Sequence, residues 1–388
     1  MKKRVRRYLT VAASSALVTA ALGATATAAS AQVHPHVPWN EAGQFVYVQT
    51  NNPAGNQIDV FAAHRDGRLS LREAVNTGGL GGQTAQSGTD HLASQDSLVY
   101  DPSHQLLFAV NAGSNTLSVL GTQGQQVRLL QVVSSGGVFP VSVAVQGDLV
   151  YVLNAAGAGS VSGFRILGNH LVALEGSTRT LGLNNTTPPV FLTSPGEVGF
   201  SPNGSELIVT TKGSTNSIDV FGVNQLGYLS STPTITTDGS TIPFSFVTTP
   251  SGQLVVAQAA GSALHTFSFG AGGTLTSLSA SVSDQQAALC WITVAGQYYY
   301  VANAGSANVS AYTVSANGTP VLVGGTGLPT ATTPGPIDLA ASPNGQYLYV
   351  ESGSSGTVNE FQVNADGSLS DLGSVAGLGV GIEGIAAS

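Results

Sequence analysis

Residues 298–314 read YYYVANAGSANVSAYTV: an apolar run, a break at the small residues 304–307, then an alternating run. That pattern predicts two short strands joined by a tight turn. Six further stretches align with it, at 45–61 (FVYVQTNNPAGNQIDVF), 106–120, 149–164, 206–221, 254–267 and 347–361 (YLYVESGSSGTVNEF). Their turn glycines are mostly spaced as expected of a propeller blade of four strands, roughly 40–50 residues apart.

Each unit continues alike. A polar turn such as Asn364-Ala365-Asp366-Gly367 follows the alternating strand, and a weaker outer strand comes next. An inner strand and a turn of the Ser201-Pro202-Asn203-Gly204 type then lead into the next apolar strand. Proline at the second turn position fixes φ there. The predicted fold is all-β: a seven-bladed propeller of four-stranded antiparallel blades. The chain ends GIEGIAAS, which matches the inner strand PIDLAAS at 336–342, and it enters the first repeat directly at an apolar strand. The C-terminal strand is therefore expected to join the N-terminal blade and close the ring, removing exposed sheet edges.

One stretch breaks the repeat. Residues 78–95, GGLGGQTAQSGTDHLASQ, lengthen the link between blades one and two. The composition reads first as a flexible loop; the alternative is a cover over the channel mouth.

The N-terminus reads as a secretory leader at 1–31. Lys2, Lys3, Arg4, Arg6 and Arg7 form a basic region, an apolar region follows, and Ala29-Ser30-Ala31 gives a cleavage pattern, with Ala26-Thr27-Ala28 as a second site. A retained anchor is the competing reading, but the apolar stretch is short for a span. The expectation is a secreted, extracellular monomer whose residues 32–388 form one propeller. Without the leader the chain keeps seven basic and 20 acidic residues, a formal charge of −13. Nucleic acid and anionic membrane surfaces are therefore poor partners. Cys290 is the only cysteine, so no internal disulfide forms.

The YVAN-type strand and turn, repeated seven times with this closure, resembles the lactonase-type seven-bladed propellers and the bacterial YVTN repeat proteins, most of all their secreted members. The resemblance covers about Val37 to Ser388. It implies activity on a small lactone or organic acid, as in 6-phosphogluconolactonase and carboxymuconate cyclase. Family enzymes carry Pro-x-His at the start of inner strands; the matching positions here are Pro140-Val141-Ser142 and Pro195-Gly196-Glu197.

Ligand sites in propellers lie where inner strands begin. Lining up those starts gives a column: Glu383, Ser97, Ser142, Glu197, Ser245, Trp291 and Asp338. Glu197, Asp338 and Glu383 are the candidate acid–base residues. Ser97, Ser142, Ser245 and Trp291 are the candidate ligand contacts, Trp291 as a platform for a sugar or lactone ring. No metal ligand set is assigned and no cofactor is required, although three carboxylates and hydroxyls could hold calcium. The competing reading has these side chains bonding only to neighbouring strands and channel water. None of the seven histidines begins an inner strand. His34 and His36 precede blade one, His64, His104 and His170 fall in turns, His265 on a third strand and His91 in the insertion. Function therefore divides between a lactonase-like hydrolase or cyclase and a non-catalytic binding or scaffold propeller.

Overall fold

The structure is a computed structural model that describes residues 44–123 and 126–388. The leader, its cleavage sites, His34 and His36 lie outside the described residues.

Seven antiparallel sheets account for the described strands. Blade two shows the plan: Leu98–Asp101 innermost, then Leu106–Asn111, Thr116–Gly121 and Arg128–Ser134 outermost. The second strands are apolar because both faces are covered; every residue of Leu106–Asn111, Leu149–Asn154 and Tyr298–Asn303 is buried. The third strands alternate in sequence but are also buried on both faces. In Asn308–Val314 the polar Ser310 and Tyr312 are as hidden as Val309. The Tyr312 hydroxyl is satisfied by donating to Val282 O at 3.0 Å. Outer strands are half exposed, and in blades three, five and six they are broken into two short pieces.

The ring closes as its ends predict. Ile385–Ala387 pairs antiparallel with Gln44–Gln49, matching Val46 with Ala387 and Val48 with Ile385. The Gln49 amide donates to Gly384 O at 2.8 Å, and the Ser388 amide to Phe45 O at 2.9 Å.

Two features set the channel mouth. The inner strands of blades three, five, six and seven begin with a register shift, as between Pro140 and Ser142 or Leu289 and Trp291. Such bulges re-aim the side chains at the strand head. The second feature is the insertion, which is no flexible loop. Asp90, Leu92, Ala93, Ser94 and Gln95 are all buried. Glycines at the tips of the blade turns admit it: a Cβ on Gly113 would sit 2.2 Å from Gly81 O, and one on Gly353 2.4 Å from Thr89 O.

Candidate functional site

The insertion plugs the mouth by bonding to successive blades. The Leu92 amide donates to Glu383 Oε2 at 2.6 Å in blade one, and the Gly113 amide of blade two to Leu80 O at 3.0 Å. Ser94 Oγ donates to Val141 O at 2.8 Å in blade three, and the Gln95 amide to Gly196 O at 3.0 Å at the head of blade four. In blade six Trp291 Nε1 donates to Ser94 O and the Ile292 amide to Gln95 Oε1, both at 2.9 Å. Ser354 Oγ of blade seven donates to Thr89 Oγ1 at 2.7 Å.

All seven column residues are buried, none more than 3% exposed. Most of them form a belt between adjacent inner strands. Ser97 Oγ donates to Glu383 O at 3.1 Å, Ser142 Oγ accepts the Val198 amide at 3.1 Å, and Glu197 Oε2 accepts the Phe246 amide at 2.7 Å. Ser245 Oγ donates to Cys290 O. Asp338, at a positive φ of 39°, turns one oxygen back on the amide of Leu339. Trp291 packs edge-to-face on Phe244 with ring centroids 5.0 Å apart, besides its bond to the insertion.

The buried carboxyls share one electrostatic fate. Burial pushes Glu197, Asp338, Glu351 and Glu383 well above the usual carboxylate range. The charge of Asp96 adds to this at Glu197 and Asp338. Burial also lifts Asp96 to about 7. Burial pushes the Cys290 thiol far up, so it is an inert core thiol. Among the described residues no group of three His, Cys, Asp or Glu side chains could hold a metal ion, so the calcium expectation finds no ligand set there.

Four ionisable residues at the mouth escaped the sequence reading: Asp90, Asp96, Lys212 and Glu351. Lys212, in the blade-four turn, is 1% exposed. Its ammonium donates to Ala93 O of the insertion and to Phe191 O, the latter at 2.9 Å. It lies 5.0 Å from the ring centre of Phe191 and 4.6 Å from that of Phe244. Burial lowers its pKa to about 8. Glu351 Oε2 accepts the Gly384 amide at 3.0 Å.

Two cavities flank the plug. One of about 330 Å³ lies at the mouth, walled by Phe191, Leu192, Ile242, Ala259, Ala260 and Trp291, with Asp90 at its edge. The other, about 370 Å³, lies within the channel between inner strands, against Asp96, Glu197, Phe200 and Phe246. Two of the histidines have carboxylate partners. His104 bridges Asp101 and Asp148 at 2.6 and 3.1 Å, and His265 meets Asp238 at 3.1 Å. His91 faces a polar pocket beside Asp59 and 377–380.

The architecture is that of the lactonase-type seven-bladed propellers. The sequence profile of that family, the lactonase seven-bladed β-propeller, matches residues 263–382. A candidate 6-phosphogluconolactonase of Bacteroides uniformis superposes with a TM-score of 0.70 at 18% identity, over 90% of this chain and 100% of that one. The periplasmic gluconolactonase of Pseudomonas aeruginosa gives a TM-score of 0.69 at 15% identity, over 89% of this chain and 98% of that one. A protein of Lactobacillus plantarum gives 0.71 at 17% identity, over 89% and 99%. At such identities the likeness is one of fold. No curated protein matches the sequence. No helix among the described residues is long and apolar enough to cross a membrane.

Proposed function

We propose that this chain is a lactonase-like propeller that works outside the cytoplasm and takes a small, uncharged lactone-type molecule in the mouth cavity, against Trp291 and away from the carboxyls of the column. The observation that carries this is the cavity itself. It has a volume of about 330 Å³, apolar and aromatic walls, and a single carboxyl at its edge. Its charge speaks against anionic ligands. No arginine among the described residues lines it, and Lys212, which does not line it either, is spent on two carbonyls and two rings. A phosphorylated or carboxylate ligand would meet Asp90 with no cation to pair it. The leader supports the location.

Glu197, Asp338 and Glu383 are in this reading structural, because each already accepts a backbone amide. That observation also favours a second reading, a propeller that binds without reacting. Calorimetry with a panel of neutral γ- and δ-lactones, with product analysis, tests both. The expected result is saturable binding that Ala260→Phe, which fills the cavity, removes. Ring opening in the wild type assigns a hydrolase, and binding without it assigns the binding propeller. Failure of every lactone to bind overturns the proposal.

A further inference from the structure

At the centre of the plug two acids meet. Asp90 comes from the insertion and Glu383 from the closing segment; they are 2% and 0% exposed, Glu383 holds the amide of Leu92 two residues on from Asp90, and the two carboxyls act on each other. Each has one oxygen spent on a backbone amide, Asp90 Oδ1 on Ala93 at 2.5 Å and Glu383 Oε2 on Leu92 at 2.6 Å. The other two oxygens, Asp90 Oδ2 and Glu383 Oε1, are buried with no protein donor. Two ionised carboxylates cannot hydrogen-bond, and a buried oxygen without a donor is costly. One proton held between the two acids satisfies both oxygens.

We infer that Asp90 and Glu383 form a proton-held latch that keeps the insertion closed over the channel mouth. With the proton in place the pair carries one negative charge, which the buried Lys212 ammonium offsets. Loss of the proton puts two like charges in contact in a dry site, and the insertion is the mobile partner because Glu383 is held by ring closure. The other groups facing the pair are His91 beside Asp90, Glu351 and Asp338 of blade seven, and Cys290 of blade six. Burial raises Glu351 and Asp338 well above the usual carboxylate range, so they add repulsion only as they too ionise. His91 is depressed by burial and adds no positive charge as pH rises. The cavity at the mouth is bounded by 86–90 of the insertion, so opening the latch widens it whatever it holds.

Amide hydrogen exchange of residues 91–95, followed against pH in the mature protein, tests the latch. Beyond the intrinsic rise with base, opening that releases one proton adds about tenfold per pH unit from the ordinary carboxylate range of the open pair up to the raised range of the closed one. Asp90→Asn can donate its amide to Glu383, needs no shared proton, and is expected to lose that extra slope while remaining folded. Glu383→Gln serves the same purpose should the first variant fail to fold. Trp291 is a second reporter, read in a Trp39→Phe background. Its indole bonds to Ser94, and its emission moves to longer wavelength as the insertion lifts. A wild type without the extra slope, or a folded variant that keeps it, overturns the latch.

Discussion

The amide of Phe246 donates to Glu197 Oε2 at 2.7 Å, joining the inner strands of blades four and five. A carboxyl buried at 2% exposure is used here as a strut. Glu197→Ala strands the Phe246 amide in a dry site and is expected to cost about 1–3 kcal/mol. Glu197→Gln keeps an acceptor and should cost clearly less. Urea unfolding of the two variants checks the order. Equal losses would show that the bond itself contributes little.

Ring closure rests on a short strand. Removing 385–388 takes away the inner strand of blade one and uncovers the edge of Gln44–Gln49. It also frees the Phe45 amide and carbonyl that Ser388 satisfies. The truncated chain is expected to lose cooperative unfolding and to self-associate through the open edge. Calorimetry and light scattering measure both; an unchanged melting transition would mean that closure does not hold the ring.

The repeats made the ring legible, because apolar second strands and turns recur in register. Strand closure was legible from the match between GIEGIAAS and PIDLAAS. The site was legible only in part. The column residues lie at or near the heads of the inner strands, but sequence alignment cannot show that Ser142 and Glu197 are consumed by the next strand's amides. The insertion misled, because Gly and Ser suggest flexibility; here Gly79, Gly81 and Gly82 instead allow close approach to Asn111, Asn51 and Ala112. A signal for the missed residues did exist. Lys212 stands where the aligned turns have Ala112 and Ala304, and Glu351 where the aligned strands have Val110 and Ala302. A charge replacing a small or neutral residue within a repeat marks a position with a private contact.

Buried acids make stability depend on pH with a definite sign. For Glu197, Asp338, Glu351 and Asp96 the folded-state pKa is raised, so the folded chain retains protons that the unfolded chain has released. Stability is then greatest near the ordinary carboxylate range and falls as pH rises through the raised values, including the one near 7 at Asp96. The melting temperature is expected to decline from about pH 5 to about pH 8. A profile that is flat or rises across that range would contradict the burial of these groups.

Insertion packing can be probed without touching an ionisable group. A Cβ on Gly81 would lie 2.0 Å from the Asn51 carbonyl oxygen, a backbone atom that cannot swing away. Gly81→Ala is therefore expected to lift this end of the insertion, disturbing the bonds between Asn51 and Gly82 at 2.9 Å. Protease nicking within 78–95 should rise while the blades stay intact. Gly88→Ala, whose Cβ meets nothing within 4 Å, is the control and should behave as wild type.

Lys212 separates the stability of the plug from its charge. Lys212→Met keeps an unbranched side chain of similar length against Phe191 and Phe244, where a thioether packs well. It removes the donor to Ala93 O and Phe191 O, and with it the only cation buried at the mouth among the described residues. Two stranded carbonyls predict a loss of about 1–3 kcal/mol. The electrostatic effect is separate from that loss. Without the ammonium, the negative form of the Asp90–Glu383 pair is less favoured, so its proton is held to higher pH. The variant should thus be less stable overall while the extra slope in hydrogen exchange of 91–95 runs on to higher pH than in the wild type before it levels off. Lower stability with the levelling-off unmoved or shifted downward would show that Lys212 ties the insertion mechanically and does not balance the pair.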